Sequence, residues 1–325
     1  MIRVPERMAD QLLDIARRLD ASPKYCLRED GNTFVLELVP ARRVRYTAEK
    51  PVNVASVPQR SPFRYPGGKT WLVPYIRDWL RSKKSPPARL IEPFAGGAIV
   101  SLTAAFERLA RHVIFAEMDA GVAAVWRVVL NGQAEWLAKQ ILNFEVTLES
   151  VTTLLHGETP DLRDKAFQTI LRNRVQRGGI LAAGAGLVKT GENGRGLLSR
   201  WYPETLARRL REINRQKDRL TFVEGDGFAL IEEHKADAEA VFYIDPPYTL
   251  AARRLYTVWR IDHAKLFAAM AGCKGDFLMS YDNTSEVARL AKEHGFESRP
   301  IAMKNTHHAK MTELLIGRDL SWLKE

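Results

Sequence analysis

Five short apolar runs recur between residues 89 and 282, and four of them stop on glycine, an acid or proline. They read "RLIEPFAGG" from Arg89, "HVIFAEMD" from His112, "LTFVEGDG" from Leu220, "AVFYIDPPY" from Ala240 and "DFLMSYD" from Asp276. Helix-period stretches at residues 98–109, 120–130, 263–272 and 285–293 lie between or after them. Strands that are apolar at every position have no solvent side. Alternating with helices, they call for a parallel sheet covered on both faces. Near the end, "ESRPIAMK" (297–304) and "MTELLIG" (311–317) follow one another with no helix between, which predicts an antiparallel hairpin at the sheet edge. The expected class is α/β.

In open α/β sheets, ligands sit outside the carboxyl ends of the strands. Glu117, Asp226 and Asp245 end three of the runs, where core packing asks for no acid. One such acid reads as the N-cap of the following helix. Three of them, with a glycine turn at Gly96 and Gly97, read as a site. That turn lets backbone N–H groups approach a ligand beside a helix N-terminus. Its spacing is not G-x-G-x-x-G. The "PGGKT" at 66–70 is not a P-loop, since no strand precedes it and no glycine stands five residues upstream. Glu117 follows the glycines by about 20 residues, the separation at which an acid meets a ribose diol. The expected ligand is a nucleoside bound without a phosphate cradle.

Charge narrows the partner. The chain of 325 residues carries a net charge of +10. Residues 161–219 hold 14 Lys or Arg against 6 Asp or Glu, most of that excess. A basic zone of this kind fits a nucleic-acid footprint or a solvated helical surface. Cys26 and Cys273 are the only cysteines and lie far apart, so no disulfide framework is expected and a cytoplasmic setting is the default. The 7 histidines show no metal spacing, and no metal is expected. No apolar run approaches a membrane span of roughly 20 residues. Ahead of the regular pattern, residues 5–20 read as an amphipathic helix and "TFVLELV" (33–39) as a strand. Residues 40–62, rich in Pro, Arg and Val, read as a linker.

In order, "FRYPGGKT", "IEPFAGG", "FAEMD", "VEGD" and "IDPPY" resemble the Dam-like, D12 class of site-specific DNA adenine-N6 methyltransferases over about residues 61–317. "TELLI" is similar to the family's closing motif. The resemblance implies a Rossmann-like methyltransferase sheet, mostly parallel with the C-terminal antiparallel hairpin. It divides the chain into an N-terminal extension (1–60), a catalytic domain (61–149 and 218–325) and a mainly helical target-recognition insert (150–217).

S-adenosyl-L-methionine is the implied cofactor. Its site would include Tyr65, Pro66, Gly67, Gly68 and Lys69 of the first block and Pro93, Phe94, Ala95, Gly96 and Gly97 of the turn. Glu117 with Met118, Asp226 and Asp245 would complete it. The family's turn usually reads F-x-G-x-G, and here Ala98 takes the last position, leaving less room for the methionine part. The implied catalytic block is Asp245, Pro246, Pro247 and Tyr248. Adenine N6 is a poor nucleophile because its lone pair is delocalised into the ring. Asp245 and the Pro246 carbonyl would each accept one N6–H and favour a pyramidal nitrogen. The prolines fix φ and remove competing donors, and Tyr248 would stack on the flipped base. DNA contacts are expected from Arg64, Asn173, Arg177, Arg195 and Arg200, with double-stranded DNA and a cognate restriction endonuclease as candidate partners. Cytosine-N4, RNA or protein-glutamine amino methylation are neighbouring readings, in which Ser or Asn more often precedes the prolines. A silent DNA-binding relative is the non-enzymatic alternative.

Overall fold

A computed structural model describes residues 25–30, 33–38, 52–64, 68–182, 184–247, 261–304 and 310–323. The chain divides into two compact units, Met1–Arg45 and Tyr46–Glu325. In the first, strands β1 (Tyr25–Asp30) and β2 (Thr33–Leu38) pair antiparallel, with Tyr25 opposite Leu38. The helix expected at 5–20 lies outside the described residues. The units divide ahead of position 60 for a packing reason: Val52, Val57 and Phe63 are buried in the core of the larger unit.

That unit is built on a seven-stranded sheet. Its strands are β3 (Arg89–Glu92), β4 (His112–Glu117), β5 (Leu220–Glu224), β6 (Ala240–Ile244), β7 (Asp276–Asp282), β8 (Glu297–Lys304) and β9 (Lys310–Gly317). Their order is β5-β4-β3-β6-β7-β9-β8. Pairs among β3 to β7 are parallel, whereas β9 runs antiparallel to both β7 and β8. This is the expected Rossmann-like α/β architecture with its C-terminal hairpin. The hairpin forms that edge of the sheet, with β9 pairing to β7 and β8 outermost.

Strand periodicity explains why both faces are filled. Along β6, Val241 and Tyr243 enter one core cluster while Ala240, Phe242 and Ile244 enter the other. Along β7, Leu278 faces the first cluster and Phe277, Met279 and Tyr281 the second. Helices α1 (Val73–Arg81), α2 (Ile99–Phe106) and α3 (Ala120–Val128) contribute Trp79, Leu102 and Trp126 to the first. The next four helices are α4 (Ala134–Asn143), α5 (Leu148–His156), α6 (Leu162–Val175) and α7 (Pro203–Asn214). They add Leu137, Val151, Ile170 and Leu210 to the same face. Residues 150–217 are therefore mainly helical among those described, and they share the first core cluster. Helices α8 (Gly227–His234), α9 (His263–Gly272) and α10 (Ser285–Glu293) cover the opposite face through Leu230, Phe267 and Leu290. Burying each such side chain is worth about 1.5–3 kcal/mol.

Helix starts follow local chemistry. Asp119 caps α3 by accepting the Gly121 and Val122 amides, and Asp161 caps α6 through those of Arg163 and Asp164. Pro203 opens α7 at a position where no amide is needed. Among the described residues, no helix is long and apolar enough to cross a membrane.

Candidate active site at the carboxyl ends of the strands

Chain order runs outward from β3 through β4 to β5, then returns to β6 on the other side of β3. The crevice of this fold opens at such a reversal, outside the carboxyl ends of β3 and β6. Two turns meet there, Glu92–Gly97 after β3 and Asp245–Pro247 after β6.

The first turn is held from three sides. The Ala95 amide donates to the Ala116 carbonyl at 3.0 Å, and Trp126 Nε1 donates to the Gly96 carbonyl at 3.1 Å. Gly96 has φ 49°, which glycine adopts without strain. Ala98 has φ 51° and is fully buried, so it carries about 1–2 kcal/mol of left-handed strain at the position where the family's pattern has glycine. Gly227 must stay small for the same turn, because a Cβ there would lie 2.6 Å from both Phe94 Cε1 and the Pro93 carbonyl oxygen.

Glu92 is buried at the end of β3, where its Oε2 accepts the Ser101 amide at 2.8 Å. Burial pushes its carboxyl up to about 8, against the Ser101 hydrogen bonds that pull it down. A folded value above the unfolded one favours the fold at low pH, and that contribution is lost as pH rises through 8. Glu92→Gln keeps the shape and an acceptor without the ionisation. Its unfolding temperature should exceed the parent's above pH 8, with the gap closing below pH 5. A constant gap across a thermal-unfolding series from pH 4 to 9 would count against an ionising Glu92.

Asp245 caps the crevice. Its side chain is 20% exposed, and its Oδ1 lies 2.9 Å from Lys69 Nζ and 3.1 Å from Ser280 Oγ. Ser280 Oγ also sits 2.8 Å from the buried Tyr243 hydroxyl. Burial raises the Asp245 pKa, and Lys69 and Ser280 oppose it. Lys69 is 2% exposed and reaches the carboxylate from the turn that leads into α1. A buried lysine requires such a partner. Pro246 and Pro247 follow without a competing amide hydrogen.

A second pair of acids lines the far side. Glu117 Oε1 accepts the Met118 amide at 2.8 Å and the Asp119 amide at 2.7 Å. Burial pushes Glu117 up to about 7, although the amides of Asp119, Met118 and Gly96 draw it down. The Gly225 amide donates to the Glu117 carbonyl at 3.1 Å, tying the end of β4 to the turn after β5. Asp226 is exposed and caps α8, accepting the Phe228 amide at 3.0 Å. Met118, next to Glu117 in the chain, stands exposed at 46%. An exposed apolar side chain beside a carboxylate suits the flat base and sugar of an adenosine. The expected cofactor therefore fits: Gly96 and Gly97 would receive its amino-acid part, Glu117 its ribose diol and Asp226 its base. Glu117→Ala should weaken S-adenosylmethionine binding by about 1–3 kcal/mol. In the parent, affinity should fall as pH drops below about 7 and Glu117 protonates. Calorimetry at two pH values checks both.

The insert departs from expectation at Asn173. Its side chain is fully buried: Nδ2 donates to the Arg64 and Gly179 carbonyls at 2.9 and 2.8 Å, and Oδ1 accepts the Arg64 amide at 2.8 Å. With both ends of the amide committed, Asn173 holds the segment before the first block and does not meet DNA itself. Arg177 and Arg195 are exposed, and Arg200 and Arg64 are half-buried. Sequence reasoning missed Arg174 and Arg209. Arg174 donates to the Pro62 carbonyl and Arg209 to the Ser61 carbonyl, the latter at 3.0 Å. Burial, with Arg209, Arg64 and Arg200 nearby, lowers Arg174 to about 9. Glu92, Trp126, Ser280 and Glu313 were also not singled out, although each stands in or beside a quoted motif. Tyr65, Pro66, Gly67 and Tyr248 lie outside the described residues. Among the described residues, no group of His, Cys, Asp or Glu could hold a metal.

Residues 65–165 match the model of the D12 class N6 adenine-specific DNA methyltransferase family. Among solved structures, the rRNA methyltransferase aviRa of Streptomyces viridochromogenes aligns at 13% identity and a TM-score of 0.38, covering 84% of this chain and 96% of that one. A SAM-dependent methyltransferase of Agrobacterium tumefaciens aligns at 10% and 0.38, covering 97% and 78%. A precorrin-6y C5,15-methyltransferase of Geobacter metallireducens aligns at 8% and 0.32, covering 75% and 85%. No curated protein sequence matches.

Proposed function

We propose that the chain methylates the N6 amine of adenine in double-stranded DNA, at a short specific sequence and on a base turned out of the duplex. The D12-class match and the strand order support the broader statement, an S-adenosylmethionine-dependent methyltransferase. The observation that carries the finer reading is the Asp245 carboxylate, held at the carboxyl end of β6 by Lys69 and Ser280 and followed by two prolines. Ser or Asn, more frequent at this position in relatives acting on other amines, would put a neutral group there.

When bound, S-adenosylmethionine supplies a methyl carbon on a sulfonium, a leaving group that needs no further activation. The protein's share is alignment and electrostatics. Asp245 accepts one N6–H and the Pro246 carbonyl the other, which localises the nitrogen lone pair towards the methyl carbon. Once the N–C bond forms, the nitrogen sheds a proton. A carboxylate whose pKa is raised by burial is suited to take that proton and pass it to solvent through its exposed edge. Lys69 keeps Asp245 ionised before the reaction. Arg64, Arg177, Arg195 and Arg200 are available for the phosphates and base edges of the duplex. Phosphate contacts would make binding fall steeply with salt. A cognate restriction endonuclease as functional partner and a cytoplasmic setting belong to the same proposal.

Incubation with methyl-labelled S-adenosylmethionine and, separately, unmethylated duplex DNA, single-stranded DNA and RNA tests the reading. Label is expected in the duplex. Label confined to RNA, or in none of the three, would overturn it.

A further inference from the structure

β9 brings a second carboxylate to the same ammonium. Glu313 is 4% exposed, and its Oε2 lies 3.5 Å from Lys69 Nζ, with Asp245 Oδ1 2.9 Å away on the other side. Register fixes it there: Glu313 faces Asp282 of β7 and Ile301 of β8. Its neighbours Leu314, Leu315 and Ile316 are all buried core residues. Core packing asks for no acid at such a position, because burying a carboxylate is costly even when it is paired. Acids that a fold keeps at this cost cluster at functional sites.

Asp245 alone would suffice to pair Lys69. Asp245 already holds Lys69 and Ser280 on its Oδ1, and an ammonium with no second carboxylate would hold that group more tightly at the moment when the substrate amine needs an acceptor. We propose that Glu313 is a positioning residue, which takes a share of the Lys69 ammonium so that Asp245 can turn a carboxylate oxygen to the amine. No bond is made or broken; the ammonium shifts between two carboxylates. This rests on the amine-methylation reading above. Among the described residues, the groups that act on Asp245 or on its lysine are Lys69 from the turn before α1, Glu92 of β3, Tyr243 of β6, Ser280 and Tyr281 of β7 and, through Lys69, Glu313 of β9. Glu313 and Glu92 are the carboxyls among them.

Glu313→Gln keeps the volume and removes the charge. Lys69 then loses one of these two carboxylates and pairs more closely with Asp245, whose titration moves to lower pH. The expected result is a kcat at least tenfold lower, with the affinities for S-adenosylmethionine and DNA within twofold of the parent. The acid limb of the kcat–pH profile should move down. Glu313→Asp, with its carboxylate one methylene farther back, should give an intermediate kcat and an intermediate limb. A purely structural residue would change the unfolding temperature and leave kcat and the limb in place. A folded Gln variant with parent kcat and parent limb overturns the proposal. If the Gln variant does not fold, the Asp variant carries the test, and an unmoved limb in it is the overturning result. A parent that methylates nothing sinks the activity reading, and the sharing of Lys69 between the two carboxylates is then read separately. The Asp245 carboxyl carbon, followed by ¹³C NMR in parent and variant without DNA, must still titrate lower in the variant, and an unchanged titration overturns the role of Glu313.

Discussion

Asp245→Ala should fold, bind DNA and S-adenosylmethionine nearly as the parent does, and methylate roughly ten- to a hundredfold more slowly. The loss has a definite source: a hydrogen bond to a charged acceptor is worth about 1.5–3 kcal/mol, and each 1.4 kcal/mol of barrier is tenfold in rate. Survival of the fold follows from the same geometry. Burial raises the Asp245 pKa, so its carboxylate is held at some cost to the folded state at neutral pH. Lys69 keeps Glu313 as a partner when Asp245 is gone. The variant's unfolding temperature should therefore match or exceed the parent's. Methyl-transfer rates, DNA binding by fluorescence polarisation and a melting curve together test this. Near-parent turnover would remove Asp245 from the chemistry, and a collapsed fold would make it a structural residue.

Lys69→Met should have the opposite profile. Removing the ammonium takes from Asp245 and Glu313 the cation that they share. Breaking a buried pair in this way costs about 3–5 kcal/mol, because an uncompensated charge remains. That is a large part of the 5–15 kcal/mol by which ordinary domains are stable. The sign with pH is fixed. Burial raises the Asp245 pKa against the pull of Lys69, so without the ammonium that carboxyl titrates higher still in the folded state. The penalty is then absent below the ordinary carboxylate range and grows as pH rises through the raised value. Unfolding of parent and variant should nearly coincide around pH 4 and diverge by pH 8. A difference independent of pH would mean that Lys69 acts through its apolar stem.

Much of this site was legible because strand ends and glycine turns leave marks in sequence. The apolar runs had no solvent side, so a covered parallel sheet followed. Glu117, Asp226 and Asp245 stood where packing asked for no acid. Residues whose role comes from tertiary position were harder to find. Asn173 sits in an arginine-rich helix and looked like a reader of bases, but its helix face turns inward onto the Arg64 backbone. Glu313 lay in a run resembling the closing motif, and only the antiparallel pairing of β9 with β7 brings it to Lys69. Trp126 lies 30 residues from Gly96 in the chain, and only the fold brings its indole to the Gly96 carbonyl. Ser280 is one serine in an apolar strand, and nothing local marks it as the bridge between Tyr243 and Asp245.

The central claim is that Asp245 presents the adenine amine of DNA for methylation, and the identity of the modified nucleoside tests it most directly. Unmethylated duplex DNA would be incubated with the protein and S-adenosylmethionine, digested to nucleosides and analysed by mass spectrometry. N6-methyldeoxyadenosine, absent when Asp245→Ala replaces the parent, is the predicted product. N4-methyldeoxycytidine, or no methylated nucleoside from a folded parent that binds the cofactor, would contradict it.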